Sequence, residues 1–180
     1  MRVITGTARG VQLKTPEGMV TRPTTDRVKE AMFSIIQFEI PGASVLDLFG
    51  GTGQLGIEAL SRGAKNAVFV DAGEPACKLI RENLKKCRME NAAKVVRSDY
   101  LDYLKRSQDR FDIILLDPPY AEVFLENALK CITEIDILRS NGIIVTERPL
   151  GKELPWEYDG YQRSKDYKYG KTLLTIYRKA

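Results

Sequence analysis

From residue 44 onward, short apolar runs alternate with segments of helical periodicity, and this alternation restricts the fold more than any other feature. The predicted strands are "SVLDLF", "NAVFVD", "AKVVRSD", "FDIILLD" and "GIIVTE", and the helical segments between them include "GQLGIEALSRG", "EPACKLIRENLKKCRM" and "EVFLENALKCITEIDIL". Strands that are almost continuously apolar and separated by helices are typical of a parallel sheet covered on both faces. The prediction is therefore an α/β fold with a doubly wound, mostly parallel sheet.

The two ends of the chain depart from this alternation. Near the start, "RVITGTARGVQLKT" predicts a small β-hairpin that turns at Gly6 and Gly10, and "TRPTTDRVKEAMFSIIQF" predicts a helix capped by Thr24 or Thr25. Near the end, "YQRSKDYKYGKTLLTIYR" predicts an antiparallel hairpin on an edge of the sheet. We expect an N-terminal extension over residues 1–40 and one compact unit over residues 41–180.

Composition excludes several classes of protein. No apolar run approaches the roughly 20 residues of a membrane helix, and the N-terminus lacks a signal-peptide pattern, so we expect a cytoplasmic protein. Histidine is absent, and Cys77, Cys87 and Cys131 form no C-x-x-C pair, so we expect no metal site. The net charge of +4 permits a polyanionic partner without requiring one.

A glycine-rich loop follows the first predicted strand. In "LDLFGGTGQLG", Gly51, Gly53 and Gly56 match G-x-G-x-x-G, and Asp71 comes 20 positions after Gly51. Such glycines let a backbone approach a nucleotide cofactor, and an acid after the second strand accepts hydrogen bonds from ribose hydroxyls. A nicotinamide dehydrogenase is therefore one interpretation, although tight helix–strand packing also explains some glycines.

Acids follow four of the predicted strands. Asp47 would repel a pyrophosphate but suits the ammonium and sulfonium groups of S-adenosylmethionine. After the third strand, Asp99 can accept a hydrogen bond from an adenine amino group, and Tyr100 can pack near the base. With Asp71 and Asp117, these acids lie at the carboxyl ends of parallel strands, where such folds bind ligands.

The fourth strand ends in Asp117-Pro118-Pro119-Tyr120, which resembles the signature of S-adenosylmethionine-dependent methyltransferases that act on planar amino groups. Their acceptors include adenine N6, cytosine N4, guanine N2 and a glutamine amide. The resemblance implies that the Asp117 side chain and the Pro118 carbonyl accept the two amine hydrogens while Tyr120 stacks on the substrate. Such acceptors would stabilise the charge that develops on the nitrogen. A strand terminator with a packed tyrosine is the alternative.

Over nearly its whole length the chain resembles the RsmD family, bacterial methyltransferases that modify guanine N2 in 16S ribosomal RNA. The segments that carry the resemblance are "RVITGTARG", "TRPTTDRVKEAMFSII", "VLDLFGGTGQLGIEALSRGA", "FDIILLDPPY" and "YKYGKTLLTIYR". The resemblance implies a Rossmann-like class I methyltransferase fold with a seven-stranded sheet, S-adenosylmethionine as cofactor and no metal. It also implies 16S rRNA as partner, within a small ribosomal subunit or an assembly intermediate. A small enzyme approaching a large RNA suggests a monomer.

The resemblance also assigns residues to roles. It places the cofactor against Asp47, Phe49, Gly50, Gly51, Gly53, Asp71, Asp99 and Tyr100, with the helix that begins near Thr24 closing over it. It places Arg22 and Arg27 near the cofactor carboxylate or the RNA. If the extension and the terminal hairpin both lie around the mouth of the active site, their cations would form a phosphate-binding rim, and ordinary surface charge is the alternative. Besides Arg22 and Arg27, these cations are Arg2, Arg9 and Lys14 of the extension and Lys165, Lys168 and Lys171 of the hairpin. The glycine loop and Asp71, the acid after the second strand, differ conservatively from the residues usual in the family. Gln54, at the start of the next helix, is a less expected difference than these two.

Three alternatives stay open. The same Asp117 corner would serve an adenine-N6 methyltransferase acting on DNA or RNA. The glycine spacing alone would suit a nicotinamide dehydrogenase. A non-catalytic RNA-binding or assembly factor could keep the fold, although intact Asp117 and Tyr120 disfavour that interpretation.

Overall fold

The computed structural model describes residues 1–18, 23–119, 122–151 and 153–179, and it describes no side chains for residues 23–25 and 122. The helices are α1 (Pro23–Ile35), α2 (Gln54–Ser61), α3 (Glu74–Lys86), α4 (Tyr100–Arg106) and α5 (Glu122–Ile135). The strands are β1 (Ser44–Asp47), β2 (Asn66–Asp71), β3 (Ala93–Arg97), β4 (Phe111–Leu116), β5 (Leu138–Pro149), β6 (Glu157–Tyr158), β7 (Tyr161–Tyr169) and β8 (Thr172–Lys179). None of the helices in these ranges has the length and apolar character needed to cross a membrane.

All of these strands form one sheet, in the order β3-β2-β1-β4-β5-β8-β7-β6. Strands β1 to β5 are parallel, and β8, β7 and β6 continue the sheet in antiparallel pairs. The predicted parallel sheet with a C-terminal antiparallel hairpin is confirmed. The predicted number of seven strands is wrong, because the two-residue strand β6 adds an eighth that is too short to show any periodicity in the sequence.

Helices cover both faces of the parallel part, which explains its apolar strands. In β4, Ile113 and Leu115 belong to a core cluster shared with α1, α2 and α3, whereas Ile114 and Leu116 belong to a second cluster shared with α4 and α5. Successive strand side chains point to opposite faces, so a strand buried on both faces needs an unbroken apolar run. We call the face that carries α1, α2 and α3 the first face.

The predicted N-terminal hairpin is reduced to a single antiparallel bridge between Arg2 and Gln12. The turn between them packs against the end of α2, so closely that a Cβ on Gly6 would lie 1.7 Å from the Ser61 carbonyl oxygen. The amide of Thr7 donates a hydrogen bond to that same carbonyl over 2.8 Å. Backbone hydrogen bonds such as Val3 N–H to the Val11 carbonyl join the two sides of this segment, and contacts with α2 hold its turn in place.

The predicted cap of α1 is also corrected. The helix begins at Pro23, so Thr24 and Thr25 lie within its first turn and not at the capping position. Proline is well suited to the first helical position, because its fixed φ matches the helix and its missing N–H would have no partner there.

Candidate active site

Carboxyl groups from neighbouring strands meet at the carboxyl end of the parallel sheet. Asp47 ends β1, and Asp117 directly follows β4, in which Leu115 pairs with Asp47. Within β5, Glu147 follows Thr146, which pairs with Leu116. Because side chains alternate along each strand, Asp47, Asp117 and Glu147 all lie on the first face. The charge of Asp117 raises the pKa of both Asp47 and Glu147.

Asp47 is buried to 1% exposure and only half satisfied. Its Oδ2 accepts a hydrogen bond from the Gly56 amide over 3.0 Å, whereas its buried Oδ1 has no partner among the described residues. Burial raises the pKa of Asp47 to about 7, against the effect of the Gly56 hydrogen bond and with smaller contributions from the charges of Asp117 and Asp71. A cationic ligand group at Oδ1 would supply the missing donor.

The glycine loop that follows β1 leaves part of its backbone open. Gly51 and Gly53 have φ values of +56° and +81°, a region that favours glycine. A Cβ on Gly51 would meet only the Phe49 carbonyl oxygen, at 4.0 Å, so space is free beside the loop. Gly56 differs, because its Cβ would lie 2.3 Å from the Phe69 ring. The third glycine of the motif therefore serves helix–strand packing.

Two other loop positions also pack. A Cβ on Gly50 would lie 2.8 Å from the Ile80 side chain, so this glycine permits close approach of α3. Phe49 forms an aromatic cluster with Tyr100 and Phe124, with ring centroids 5.1 Å and 6.4 Å away. Tyr100 is only 8% exposed and stands in this cluster at the start of α4. The sequence had not suggested Phe124.

Asp71 holds the loop from the end of β2. Its Oδ2 accepts a hydrogen bond from the Gly51 amide over 3.0 Å, and its Oδ1 accepts one from the Gly73 amide over 2.8 Å. A carboxylate oxygen has more than one acceptor site, so the partly exposed Asp71 can still accept from ligand hydroxyls. Its orientation is fixed before any ligand arrives.

Asp99 caps α4. Its Oδ1 accepts hydrogen bonds from the amides of Leu101 and Asp102, over 2.9 Å and 3.2 Å. The side chain is exposed, and its Oδ2 has no partner within the described parts of the chain. Asp99 therefore has one oxygen committed to the helix and one available to a ligand.

The predicted acceptor corner lies beside Asp47. Asp117 and Pro118 are partly exposed, and burial raises the pKa of Asp117 above its usual range. Tyr120, the predicted stacking residue, lies outside the described residues. On the neighbouring strand, burial and the charge of Asp117 raise the pKa of Glu147. Among the described residues, no group donates a hydrogen bond to the side chain of Asp117 or Glu147.

Sequence reasoning missed Glu147, and it also missed a buried amide that supports the loop. The Asn83 side chain of α3 donates hydrogen bonds to the carbonyls of Thr52 and Lys14, over 2.8 Å and 3.0 Å, and accepts one from the Lys14 amide over 2.7 Å. One side chain thus joins the glycine loop to the N-terminal extension. An asparagine within a charged helix gave no signal of this role in the sequence.

The predicted basic residues are placed only in part. Arg2, Arg9 and Arg27 are exposed, and Arg2 and Arg9 line a pocket together with the acids Asp26 and Glu30. Arg22 lies outside the described residues, as does the side chain of Thr24. The hairpin lysines Lys165, Lys168 and Lys171 are all exposed. Within the described ranges, no group of three or more His, Cys, Asp or Glu residues could hold a metal ion.

Comparison with known proteins connects this geometry to a class of enzymes. A solved structure described as a putative methyltransferase, yhhF, from Escherichia coli covers 99% of the chain at 30% identity, with a TM-score of 0.89. A putative methylase from Haemophilus influenzae covers 99% at 30% identity, with a TM-score of 0.83. The chain covers 97% of each structure. Fold and site together define a Rossmann-like methyltransferase.

Sequence relatives extend over the same length. A putative rRNA methyltransferase, YlbH, from Bacillus subtilis is 41% identical over 99% of both chains. The ribosomal RNA small subunit methyltransferase D of Haemophilus influenzae is 37% identical over 86% of this chain and 81% of its own. The chain belongs to the family described as Conserved hypothetical protein 95, whose model matches residues 1–178. The resemblance to the RsmD family is thereby confirmed.

Proposed function

We propose that the protein transfers a methyl group from S-adenosylmethionine to the exocyclic N2 amine of a guanine in 16S ribosomal RNA. The observation that carries this proposal is the position of Asp117 and Pro118 beside the buried, half-satisfied Asp47. The names of the relatives, which include ribosomal RNA small subunit methyltransferase D, support the RNA substrate.

The residues of the site fit such a cofactor. Asp47 offers an unpartnered carboxyl oxygen to a cationic group, and the open backbone at Gly51 admits a ligand beside it. Asp71 would accept from ribose hydroxyls through the remaining acceptor sites of its two backbone-bonded oxygens. Asp99 would accept from an adenine amine through Oδ2, since its helix cap uses Oδ1. Bound there, S-adenosylmethionine supplies a methyl group on a positively charged sulfur, which is already a strong electrophile.

At the acceptor corner, Asp117 and the Pro118 carbonyl would each accept one hydrogen of the target amine. They orient its lone pair and stabilise the positive charge that develops on nitrogen, as fixed dipoles do in other active sites. The nitrogen lone pair would form the new N–C bond, and the cofactor sulfur would keep the electron pair of the S–C bond that breaks. The amine proton then passes to Asp117, whose raised pKa makes it a better base than an exposed aspartate.

The N-terminal extension, residues 1–40, would cover the cofactor and bind RNA, while residues 41–180 form the catalytic unit. Arg2, Arg9, Arg22 and Arg27 would contact phosphates, which position RNA without reading its sequence. The target guanine must leave its stack to reach Asp117. We expect a cytoplasmic monomer that acts on the small subunit or on an assembly intermediate.

Methyl transfer from labelled S-adenosylmethionine tests the proposal. The protein is incubated separately with naked 16S rRNA, assembled small subunits, transfer RNA and duplex DNA, and the labelled nucleoside is identified by mass. We expect N2-methylguanosine from 16S rRNA in one of the first two samples. Label in N6-methyladenine would support the adenine alternative instead, and binding of a nicotinamide nucleotide without any labelling would exclude the methyltransferase.

A further inference from the structure

We propose that Glu147 accepts a hydrogen bond from N1–H of the target base and thereby selects guanine over adenine. This inference rests on the proposed function and names the residue that determines its base specificity. The Asp117 corner alone would hold the exocyclic amine of either purine, so the discrimination must come from another group near it.

Strand register places Glu147 next to the acceptor corner. Leu116 of β4 pairs with Thr146 of β5, so the residues that follow them, Asp117 and Glu147, stand level on neighbouring strands. Neighbouring strands lie about 4.8 Å apart, and level residues point to the same face. Both carboxyl groups therefore face the side of the sheet that also carries Asp47.

Glu147 has no structural partner that would explain a carboxyl group at this position. On its other side it pairs with Leu174 of β8, which is fully buried. The adjacent Arg148 points to the opposite face, where its guanidinium donates hydrogen bonds to Thr175 and Asp166 over 3.1 Å and 3.0 Å. Within the described part of the chain, no donor satisfies Glu147.

The raised pKa of Glu147 is consistent with the absence of a hydrogen-bond donor to its side chain among the described residues. Burial and the charge of Asp117 raise the pKa of Glu147, so its ionised form is destabilised in the free protein. A second carboxyl group on the same face, Asp47, is buried with an unpartnered oxygen of its own. The face thus offers several acceptors and few donors, as a site for ligands rich in donors would.

Guanine and adenine differ at the atom that Glu147 would contact. Guanine carries N1–H beside its N2 amine, whereas adenine carries an N1 lone pair beside its N6 amine. The ionised carboxylate of Glu147 accepts from the first and is repelled by the second, so the preference for guanine should strengthen as pH rises through the raised pKa of Glu147. An unpaired acceptor in a partly buried site strongly disfavours the wrong base, as in other sites built around a specific hydrogen bond.

An analogue of the target base tests this role. After the methylated guanine has been mapped, 16S rRNA is prepared by splinted ligation with either guanine or 2-aminopurine at that position and assembled with ribosomal proteins if assembly is required. The analogue keeps the N2 amine but has an N1 lone pair. We expect wild-type protein to methylate the guanine substrate about 10- to 100-fold faster.

Two variants separate recognition from structure. Glu147→Gln can donate its amide hydrogen to the analogue's N1 and can still accept from guanine N1–H through its amide oxygen, so methylation of 2-aminopurine should rise and the preference for guanine should shrink. Glu147→Met has no polar group, so it should slow guanine methylation without any gain for the analogue. Melting temperature should not fall in either variant, because the removed charge is destabilised by burial and by Asp117. Calorimetric binding of S-adenosylmethionine should match wild type in both variants.

The outcomes are distinguishable. An unchanged ratio of guanine to 2-aminopurine rates in wild type and both variants would overturn the role of Glu147 while leaving methylation intact. Loss of S-adenosylmethionine binding in both variants would also overturn it, because Glu147 would then belong to the cofactor site. If wild-type protein did not methylate guanine N2 at all, the proposed function itself would fail.

Discussion

At the scale of single residues, Asp47 and Asp117 place similar carboxyl groups in different settings. Asp47 is the last residue of β1, is almost fully buried and accepts a hydrogen bond from the Gly56 amide. Asp117 follows β4, is partly exposed and has no hydrogen-bond partner among the described residues. The first can bind a fixed cationic group, whereas the second can meet a substrate that arrives from outside.

Replacing Asp117 by alanine should separate cofactor binding from turnover. We expect Asp117→Ala to bind S-adenosylmethionine with unchanged affinity and to lose turnover by roughly 100- to 1,000-fold, the usual effect of removing one group that stabilises developing charge. Calorimetry and single-turnover methyl transfer measure the two quantities. Asp109→Ala, an exposed acid just before β4, is the matched control. Loss of cofactor binding in Asp117→Ala would show that this residue holds the cofactor instead.

Asp47 should make the stability of the ligand-free protein depend on pH. Its folded pKa of about 7 lies above the ordinary value of 3.8, so the folded state holds the proton more tightly. Stability should therefore fall as pH rises from about 4 to about 7, by a contribution on the order of 4 kcal/mol.

Asp47→Asn lacks this titration and can still accept the Gly56 amide. Urea unfolding of both proteins at pH 4.5 and 7.5 measures the effect, and the variant should gain stability relative to wild type at the higher pH. An identical pH dependence in the two proteins would mean that the buried Asp47 does not titrate in this range.

At the scale of elements, Glu58 of α2 anchors the N-terminal extension. This fully buried carboxylate accepts hydrogen bonds from the Ile4 and Thr5 amides, over 2.9 Å and 3.0 Å, and from Arg62 over 2.9 Å. Lys29 of α1 is also buried and lies 3.9 Å from it. Burial lowers the pKa of Lys29, and the charge of Glu58 opposes that shift. The Glu58 carboxylate of α2 thus contacts both the backbone of Ile4 and Thr5 and the side chain of Lys29 in α1.

Removing that charge should destabilise the protein strongly. We expect Glu58→Gln to lower the free energy of unfolding by about 3–5 kcal/mol, because Lys29 and Arg62 would lose their buried counter-charge. Lys29→Met removes the ammonium, so the double variant should be more stable than the sum of the single effects predicts. Denaturant titration of the four proteins measures this coupling. Strict additivity would show that Lys29 and Glu58 do not interact.

At the scale of the whole molecule, the predicted RNA-binding surface is defined by the positions of exposed cationic side chains. We expect Arg9→Ala combined with Arg27→Ala to weaken binding of 16S rRNA and to reduce the salt dependence of that binding by about 0.7 per lost phosphate contact on single-stranded RNA. The matched control is Lys105→Ala with Arg106→Ala, two exposed cations at the end of α4. Filter binding at several salt concentrations measures both pairs. Equal effects would indicate nonspecific attraction by net charge.

The sequence predicted the parts of this molecule whose signals are local. The runs around Ile114 and Leu46 identify buried strands because both faces are covered, and the loop at Gly51 predicts a ligand site because it follows such a strand. The anchoring role of Glu58 could not be predicted, since the sequence around a buried acid in a helix does not differ from that around an exposed one.

The importance of Glu147 depends on contacts distant in sequence. It ends an apolar run like many other acids, and only the register of β5 against β4 brings it level with Asp117, 30 positions earlier. Likewise, the link between Asn83 and Lys14 joins segments far apart in the chain. Local patterns thus predicted the elements and the motif, whereas the groups that surround the motif required three-dimensional pairing.

The position of β8 has a consequence for biogenesis. This strand comes last in chain order, yet it lies inside the sheet between β5 and β7. Until residues 172–179 have been synthesised and have paired, the apolar edge of β5 at Ile143–Val145 lacks its neighbour, and unpaired apolar edges promote aggregation in partly folded chains. A chain truncated before β8 would therefore be prone to self-association through the unpaired edge of β5, which includes Glu147.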